Sequence, residues 1–178
     1  MKEVEGKILE INKEEMIAKL LELGAEKVFE GELVSNLYDF NDDSIKKSHT
    51  LLRLRKKGEK NILTFKKSLS KDKVKIEEEI ETEVKDFDIV NKIFEENGLR
   101  VRRAGKKKRT SYKLTDTRFE IDEPSEGIPT YLEIEAPDEE TIFEYAKKLG
   151  IEKEKVLNWS GGEVLKHYGI SYNNETSK

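Results

Sequence analysis

The chain has no cysteine, which excludes disulfide bonds, thiolate metal sites and cysteine nucleophiles. Its two histidines, His49 and His167, are far apart in the sequence, so we expect surface or capping positions for them rather than catalysis. No apolar run approaches the ~18–20 residues of a membrane span, and acidic residues from Glu3 onward are unlike a signal peptide. We therefore expect no membrane partner and a cytoplasmic location.

Charge is what the chain has in abundance. Charged residues make up 40% of its 178 residues, against ~25% in an ordinary globular domain, yet the net charge is only −4. This balance argues against a nucleic-acid partner, because general nucleic-acid binders usually have a strongly basic face. Three explanations for the excess charge remain: disorder, a surface covered in ion pairs, or charges held inside a cavity.

Helical periodicity excludes disorder for most of the chain. In three segments, apolar residues recur at the spacing of one helix face, and each segment starts at a capping residue and ends at a glycine. We predict helices at residues 12–24, 86–98 and 138–150, and a short fourth helix that begins at Ser160. Residues 171–178 are predicted to form a polar tail.

Between the helices the hydrophobic period is two, which indicates β-strands. We predict ten strands, at residues 2–10, 26–32, 34–40, 51–57, 61–67, 73–84, 99–103, 106–114, 118–122 and 130–136. Short strands in this number, with few helices and no linker, indicate one α+β domain over residues 1–170. Its sheet would be mostly antiparallel and able to close on itself.

Alternate residues of a strand face opposite sides, so each predicted strand has two faces. On one face the charges are separated by sign: Arg53 and Arg55 share a cationic strand, whereas Glu79 and Glu81 share an acidic one. Most antiparallel sheets expose such a face to water, and alternation alone leaves that explanation open. The alternative is an inward face, which would line a hydrophilic tunnel with one cationic and one acidic wall.

The two walls indicate what kind of ligand would fit such a tunnel. Arginine is the residue best suited to a bidentate grip on phosphate, and Arg53 and Arg55 occur together in a chain with only seven arginines. Carboxylate oxygens are preferred ligands of hard cations such as Mg²⁺ and Mn²⁺. A polyanion that carries divalent cations, such as a metal–triphosphate, would satisfy both walls.

An ordered series of motifs runs along these strands. It comprises Glu3-Val4-Glu5-Gly6-Lys7, Tyr38-Asp39-Phe40, Leu52-Arg53-Leu54-Arg55, Leu63-Thr64-Phe65-Lys66, Lys107-Lys108-Arg109, Ile121-Asp122-Glu123 and Leu132-Glu133-Ile134-Glu135. The series resembles the CYTH superfamily, also called triphosphate tunnel metalloenzymes, whose hallmark is the N-terminal Glu-x-Glu-x-Lys. The Tyr-Asp-Phe and Leu-Glu-Ile-Glu segments are most similar to the class IV adenylyl cyclase branch.

The resemblance implies a closed antiparallel eight-stranded β-barrel, or tunnel, with helices packed outside it, and a homodimer as in the cyclase branch. It implies that six cations hold a triphosphate: Lys7, Arg53, Arg55, Lys66, Lys107 and Arg109. Of these, Lys7 and Arg109 are the candidate catalytic residues. The implied ligands of Mg²⁺ or Mn²⁺ are Glu3, Glu5, Asp122, Glu133 and Glu135. Glu79 and Glu81 belong to the acidic wall, and the run of glutamates from Glu77 to Glu83 allows the matching pair to lie two residues to either side.

The same walls serve more than one reaction, so the resemblance leaves the activity open. A cyclase would convert ATP to cyclic AMP and pyrophosphate, whereas a triphosphatase would hydrolyse tripolyphosphate, thiamine triphosphate or a nucleoside triphosphate. A non-catalytic module that binds nucleotides or polyphosphate is a third alternative. Many relatives have a Ser-Tyr pair near the C-terminus where this chain has Trp159-Ser160-Gly161-Gly162, which also leaves the substrate open.

Overall fold

The computed structural model describes residues 2–125 and 127–170, so the predicted tail at 171–178 lies outside the described residues. The described strands are β1 (Lys2–Ile8), β2 (Glu26–Asp39), β3 (Thr50–Lys57), β4 (Lys60–Lys71), β5 (Lys75–Val84), β6 (Arg100–Leu114), β7 (Thr117–Pro124) and β8 (Tyr131–Ala136). They form one closed barrel in the order β1-β5-β4-β3-β2-β6-β7-β8, with antiparallel pairing throughout. The closed eight-stranded antiparallel barrel is therefore confirmed.

Two of the predicted divisions between strands are wrong. The segments at 26–32 and 34–40 form the single strand β2, and those at 99–103 and 106–114 form β6. These long strands pair with each other from Glu26 to Asp39, and shifts of register at Lys27/Phe29 and Leu37/Tyr38 let them bend without ending. An extra residue at such a bulge changes the face that the following residues occupy. The predicted divisions lie between the two bulges, where the pairing of β2 with β6 is continuous.

Helices lie outside the barrel. Those in the described residues are α1 (Lys13–Glu22), α2 (Ser44–Lys47), α3 (Phe87–Glu96), α4 (Glu139–Lys148) and α5 (Gly161–His167). Four of them begin at the predicted capping residues, Asn12, Asp86, Asp138 and Ser160, whose side chains accept backbone N–H groups. The sequence did not predict α2, a single turn in which the N–H groups of Ile45 and Lys46 donate to Asp39. Within the described residues, no helix is long and apolar enough to cross a membrane.

The main hydrophobic core lies between the barrel wall and the helices α1 and α4. The strands β1, β7 and β8 contribute Val4, Ile8, Phe119, Ile121, Leu132 and Ile134, and the helices contribute Leu20, Ile142 and Ala146. Burial of a large apolar side chain contributes roughly 1.5–3 kcal/mol of transfer free energy. Because these residues occupy the outer face of their strands, the alternate residues face the barrel interior.

The helix α5 is anchored at one end of the barrel by polar contacts. Leu157, shortly before it, exchanges two backbone hydrogen bonds of 2.8 Å with Lys7 of β1. Glu163 forms a capping box with Ser160 and an ion pair with Lys71. Burial raises the pKa of the Glu163 carboxyl, but the hydrogen bonds from Lys71 and Ser160 outweigh burial and lower this pKa to about 2.

At Gly6 the outer layer approaches β1 too closely for a side chain. A Cβ atom there would lie 2.6 Å from Cγ1 of Val156 and 3.2 Å from Cγ2 of Ile142. We therefore expect Gly6→Ala to lower the free energy of unfolding, measured by urea denaturation, by about 1–3 kcal/mol, as overpacking does in other cores.

Gly161→Ala is the matched control, because a Cβ atom there meets Nη2 of Arg103 at 3.8 Å, an ordinary contact. Its position in α5 makes alanine neutral or stabilising. Equal stability of Gly6→Ala and wild type would contradict the close approach.

Glu163 should make the stability depend on pH in acid. The pKa of its carboxyl is about 2 in the folded chain, against an ordinary value of 4.5. Its stabilising contribution is therefore complete above the higher value and is lost as the pH falls toward the lower one. In urea titrations between about pH 6 and pH 3, we expect the stability difference between wild type and Glu163→Gln to shrink. A difference that does not change with pH would refute the ion pair.

Candidate active site

The barrel interior is lined by polar and charged side chains. Opposite residues of neighbouring strands share a face, and the register pairs Glu5 with Glu135 and Arg109 with Asp122. The structure places all the predicted site residues on this inward face: Glu3, Glu5, Lys7, Arg53, Arg55, Lys66, Glu79, Glu81, Lys107, Arg109, Asp122, Glu133 and Glu135. Closure of the barrel thus decides against a sheet face open to bulk water.

Lys7 sits between two carboxylates. Its Nζ lies 2.8 Å from Oε1 of Glu5 and 2.7 Å from Oε2 of Glu133, and its side chain is 3% exposed. Burial disfavours the ammonium group, but Glu133 and Glu5 outweigh burial and raise the pKa of Lys7 well above its ordinary value. Lys7 is therefore held charged in one position by ion pairs on both sides.

Arg109 and Asp122 form a second buried ion pair. Nε and Nη2 of Arg109 donate to the two carboxylate oxygens of Asp122 at 2.6 and 2.7 Å, and Lys107 donates to the same carboxylate. Burial raises the pKa of Asp122, but Arg109 and Lys107 outweigh it and keep this pKa below its ordinary value. Nη2 of Arg109 also lies 3.6 Å from Glu133. Asp122 and Glu133, both predicted as metal ligands, are thus engaged with cations of the chain.

Three of the predicted metal ligands come together on β1 and β8, where Glu3 and Glu5 have lysine partners and Glu135 has none among the described residues. One carboxylate oxygen from each of Glu3, Glu5 and Glu135 lies within 4.8 Å of the other two. Burial, Glu133 and Glu3 raise the pKa of Glu135 well above its ordinary value, and within the described residues Glu135 has no ion pair. A cation placed among these oxygens would relieve the crowding of negative charge. The cluster therefore has the donor atoms and the electrostatics to hold a hard divalent metal.

On the opposite wall, the excess charge is positive. Nε of Arg55 donates to Oγ of Ser35 at 3.0 Å, and among the residues described here no carboxylate lies within 4 Å of its guanidinium. Burial, Arg53 and Arg109 lower the pKa of Arg55 to about 9. Burial and Arg109 likewise lower the pKa of Lys107 to about 8, although Asp122 opposes them. These shifts mark a region where an anion would stabilise the charged forms.

Arg53 adds a donor to this wall. Its Nη2 donates to Oγ1 of Thr64 at 3.2 Å and lies 3.7 Å from Glu79, whereas its buried Nε has no hydrogen-bond partner among the described residues. A buried guanidinium nitrogen without an acceptor is costly. An anionic oxygen in the interior would supply the acceptor.

The structure also settles the register of the acidic wall. Nζ of Lys66 pairs with Glu3 and lies 3.6 Å from Glu79 and 3.7 Å from Glu77. Burial and Glu3 raise the pKa of Glu79 to about 7, despite Lys66. Glu81 is exposed and accepts a hydrogen bond of 3.3 Å from Thr64. The buried end of the wall thus includes Glu77 rather than Glu81.

Sequence reasoning missed four inward residues, although alternation extends to each of them: Lys75, Glu77, Ser111 and Glu120. Lys75 and Glu77 continue the face of Glu79, and Lys75 contacts both Glu77 and Glu5. Glu120 shares the face of Asp122 and accepts a hydrogen bond from Ser111. The signal for all four was a position an even number of residues along the strand from a predicted site residue.

A model of the CYTH domain family matches residues 1–159. The chain belongs to the CYTH domain family. The resemblance seen in the motifs is therefore confirmed, and so is the barrel that it implied.

Solved structures share this CYTH fold. The chain is 27% identical to the PH1012 protein of Pyrococcus horikoshii OT3, with a TM-score of 0.79 and coverage of 91% of this chain and 98% of that one. It is 29% identical to a conserved hypothetical protein of Pyrococcus furiosus, with a TM-score of 0.76 and coverage of 91% and 99%. A "putative adenylate cyclase" of Vibrio parahaemolyticus, 18% identical with a TM-score of 0.79 and coverage of 92% and 97%, shows the fold alone. Among curated proteins no match was found.

The two kinds of buried carboxylate in this CYTH barrel should respond oppositely to mutation. Asp122→Ala leaves Arg109 and Lys107 buried without their partner, which should cost about 3–5 kcal/mol of the free energy of unfolding. Glu135→Gln removes a carboxylate that is crowded by others, so we expect equal or greater stability near neutral pH. Both are measured by urea denaturation in buffer with a chelator. A similar loss of the free energy of unfolding in both variants would contradict the distinction between a carboxylate paired with cations and one crowded by carboxylates.

Proposed function

We propose that this protein is a divalent-metal-dependent enzyme that cleaves a triphosphate held inside the barrel. The observation that carries the proposal is the pair of opposite charge imbalances in one closed interior. The guanidinium of Arg55 has a lowered pKa on one wall, and the carboxyl of Glu135 has a raised pKa on the other. A triphosphate with its metal supplies negative charge to the first and positive charge to the second. Membership of the CYTH family supports a ligand of this kind.

The cations of the barrel would bind the phosphate oxygens. Arg53 and Arg55 lie side by side on one face of β3, where two planar guanidinium groups suit a chain of phosphates. Lys66 and Lys107 would add point charges at either side. We assign the catalytic roles to Lys7 and Arg109, because the ion pairs with Glu133 and Asp122 hold them in place before a substrate arrives. Preorganised cations of this kind stabilise the charge that develops during phosphoryl transfer.

The carboxylates fit a hard metal. Glu3, Glu5 and Glu135 offer only oxygen donors, which is the ligand type that Mg²⁺ and Mn²⁺ prefer. When bound, such an ion would supply neutralisation of phosphate charge. Glu133 and Asp122 position Lys7 and Arg109, and Glu5 both belongs to the three clustered carboxylates and contacts Lys7.

Hydrolysis of the triphosphate and conversion of ATP to a cyclic product are the two candidate reactions, since both use the same cations and carboxylates. Of the segments most similar to class IV adenylyl cyclases, the first has a structural role here. Tyr38 is 1% exposed and donates to Asn91 at 2.6 Å, and Asp39 holds the start of α2. The second, which contains Glu133 and Glu135, serves either reaction. Conversion of ATP to cyclic AMP and pyrophosphate is the second candidate, favoured by the sequence similarity of these segments.

One assay separates the candidates. The purified protein is incubated with Mg²⁺ or Mn²⁺ and, separately, with tripolyphosphate, thiamine triphosphate and ATP, at neutral and alkaline pH. Orthophosphate without a cyclic product identifies a triphosphatase, and cyclic AMP with pyrophosphate identifies a cyclase. Binding of the triphosphates without turnover would replace both by a non-catalytic binding module.

Two substitutions should separate metal binding from phosphate binding. Glu135→Gln is expected to weaken the apparent metal affinity of turnover by at least about 10–100-fold, since even residues that only support a metal ligand have that effect. Arg55→Met should lower kcat/KM about 100-fold with little change in the metal dependence. Steady-state kinetics at varied metal and varied substrate measure the two effects.

Glu78→Gln is the control, because Glu78 is exposed on β5 next to the inward Glu79. This substitution should leave the apparent metal affinity and kcat/KM unchanged. An apparent metal affinity of Glu135→Gln equal to that of wild type would refute the metal cluster.

A further inference from the structure

Lys75 is a buried lysine that the reaction proposed above does not use. It begins β5, faces the interior and has a side chain 11% exposed. Its Nζ lies 2.9 Å from Oε1 of Glu5 and 2.6 Å from Oε2 of Glu77. No motif of the sequence marked it, so its role rests on these contacts.

The first contact is with one of the three clustered carboxylates. Oε1 of Glu5 accepts hydrogen bonds from two ammonium groups, Lys7 at 2.8 Å and Lys75 at 2.9 Å. Lys7 has a second strong contact at Glu133, which belongs to the pairing that holds it in place. Lys75 does not contact Glu133. Its ion pairs within the described residues are with Glu5 and Glu77.

A metal that enters between Glu3, Glu5 and Glu135 must therefore compete with cations of the chain, which are Lys66 at Glu3 and both Lys7 and Lys75 at Glu5. Of these lysines, Lys75 is the one that the proposed reaction does not use. We propose that Lys75 is a built-in competing cation, which keeps the metal affinity of this cluster low until a triphosphate is bound. The inference rests on the proposed function, because it takes the carboxylate cluster as the metal site. It adds a specific residue that controls when the metal binds.

The dependence on triphosphate follows from charge. An ammonium group on a flexible four-carbon stem can turn toward a new anion. A triphosphate brings up to four negative charges into the barrel, and these offset the repulsion between Lys75 and the metal. Metal and triphosphate then each favour the binding of the other, which is a coupling free energy between the two ligands.

The test measures the binding of Mn²⁺ alone, from the electron paramagnetic resonance signal of the free ion, in the full chain without substrate. Lys75→Met should bind Mn²⁺ about tenfold more tightly than wild type, because one nearby positive charge is removed. Lys75→Arg keeps the charge and should bind like wild type. Lys75→Gln serves as a second neutral variant if the methionine impairs folding.

Lys73→Met is the matched control. It removes the same charge two residues earlier, at an exposed side chain that pairs with Glu139 at 3.4 Å. Its Mn²⁺ affinity should equal that of wild type. The increase of Mn²⁺ affinity caused by imidotriphosphate, a non-hydrolysable analogue, should be smaller in Lys75→Met than in wild type.

The role of Lys75 and the metal-dependent reaction can fail separately. Equal Mn²⁺ affinities of Lys75→Met, Lys75→Gln and wild type would overturn the role of Lys75 and leave the metal-dependent reaction intact. Weaker binding in the neutral variants would also overturn it, since the lysine would then support the site. If neither wild type nor any variant binds Mn²⁺, even with imidotriphosphate, the metal site itself fails and the inference fails with it.

Discussion

Ion pairing inside a closed barrel is the constraint on which the structure depends. Arg109 and Asp122, joined by two hydrogen bonds, lie where water is largely excluded, and either charge alone there would cost several kcal/mol. The same holds for Lys7 between Glu5 and Glu133. The pair of Lys7 and Glu133 links the first and last strands of the barrel, so this part of the interior is ordered only when the barrel is closed.

The distribution of residues between the two sides of the barrel wall follows from this constraint. The apolar residues of β1, β7 and β8 are on the outside, where α1 and α4 cover them and provide most of the burial. The inside is left free for charge. Closure also leaves no unpaired strand edge, so the backbone hydrogen bonds are satisfied around the ring. Stability and ligand chemistry are thus placed on opposite faces of the same eight strands.

Most charges inside the barrel are paired with an opposite charge, and the few that are not indicate function. Lys7, Arg109 and Asp122 are matched with partners, whereas Arg55 faces other cations and Glu135 faces other carboxylates. A barrel built for stability alone would gain by matching these residues too. Charges held against their own electrostatic preference are characteristic of sites that receive a charged ligand.

Much of this was available from the sequence by itself. Alternation determined which residues share a face, capping residues determined where four helices start, and ordered motifs determined the family. Alternation is a local property with a period of two, so it survives in any strand that forms. The strand ends predicted at Leu33 and at Ala104-Gly105 were wrong, because β2 and β6 pair continuously through these positions and pairing between distant segments is not visible in a local pattern.

Only the tertiary structure decided which way the charged face points and how its members pair. Closure turned it inward, and the register then assigned Asp122 and Glu133 to cations while bringing Glu3, Glu5 and Glu135 together. It also brought Lys75 beside Glu5 and Glu77. Which carboxylate meets which cation depends on distances of a few ångströms between side chains from different strands. Those distances exist only once the strands have closed into a ring, and no pattern along one strand contains them.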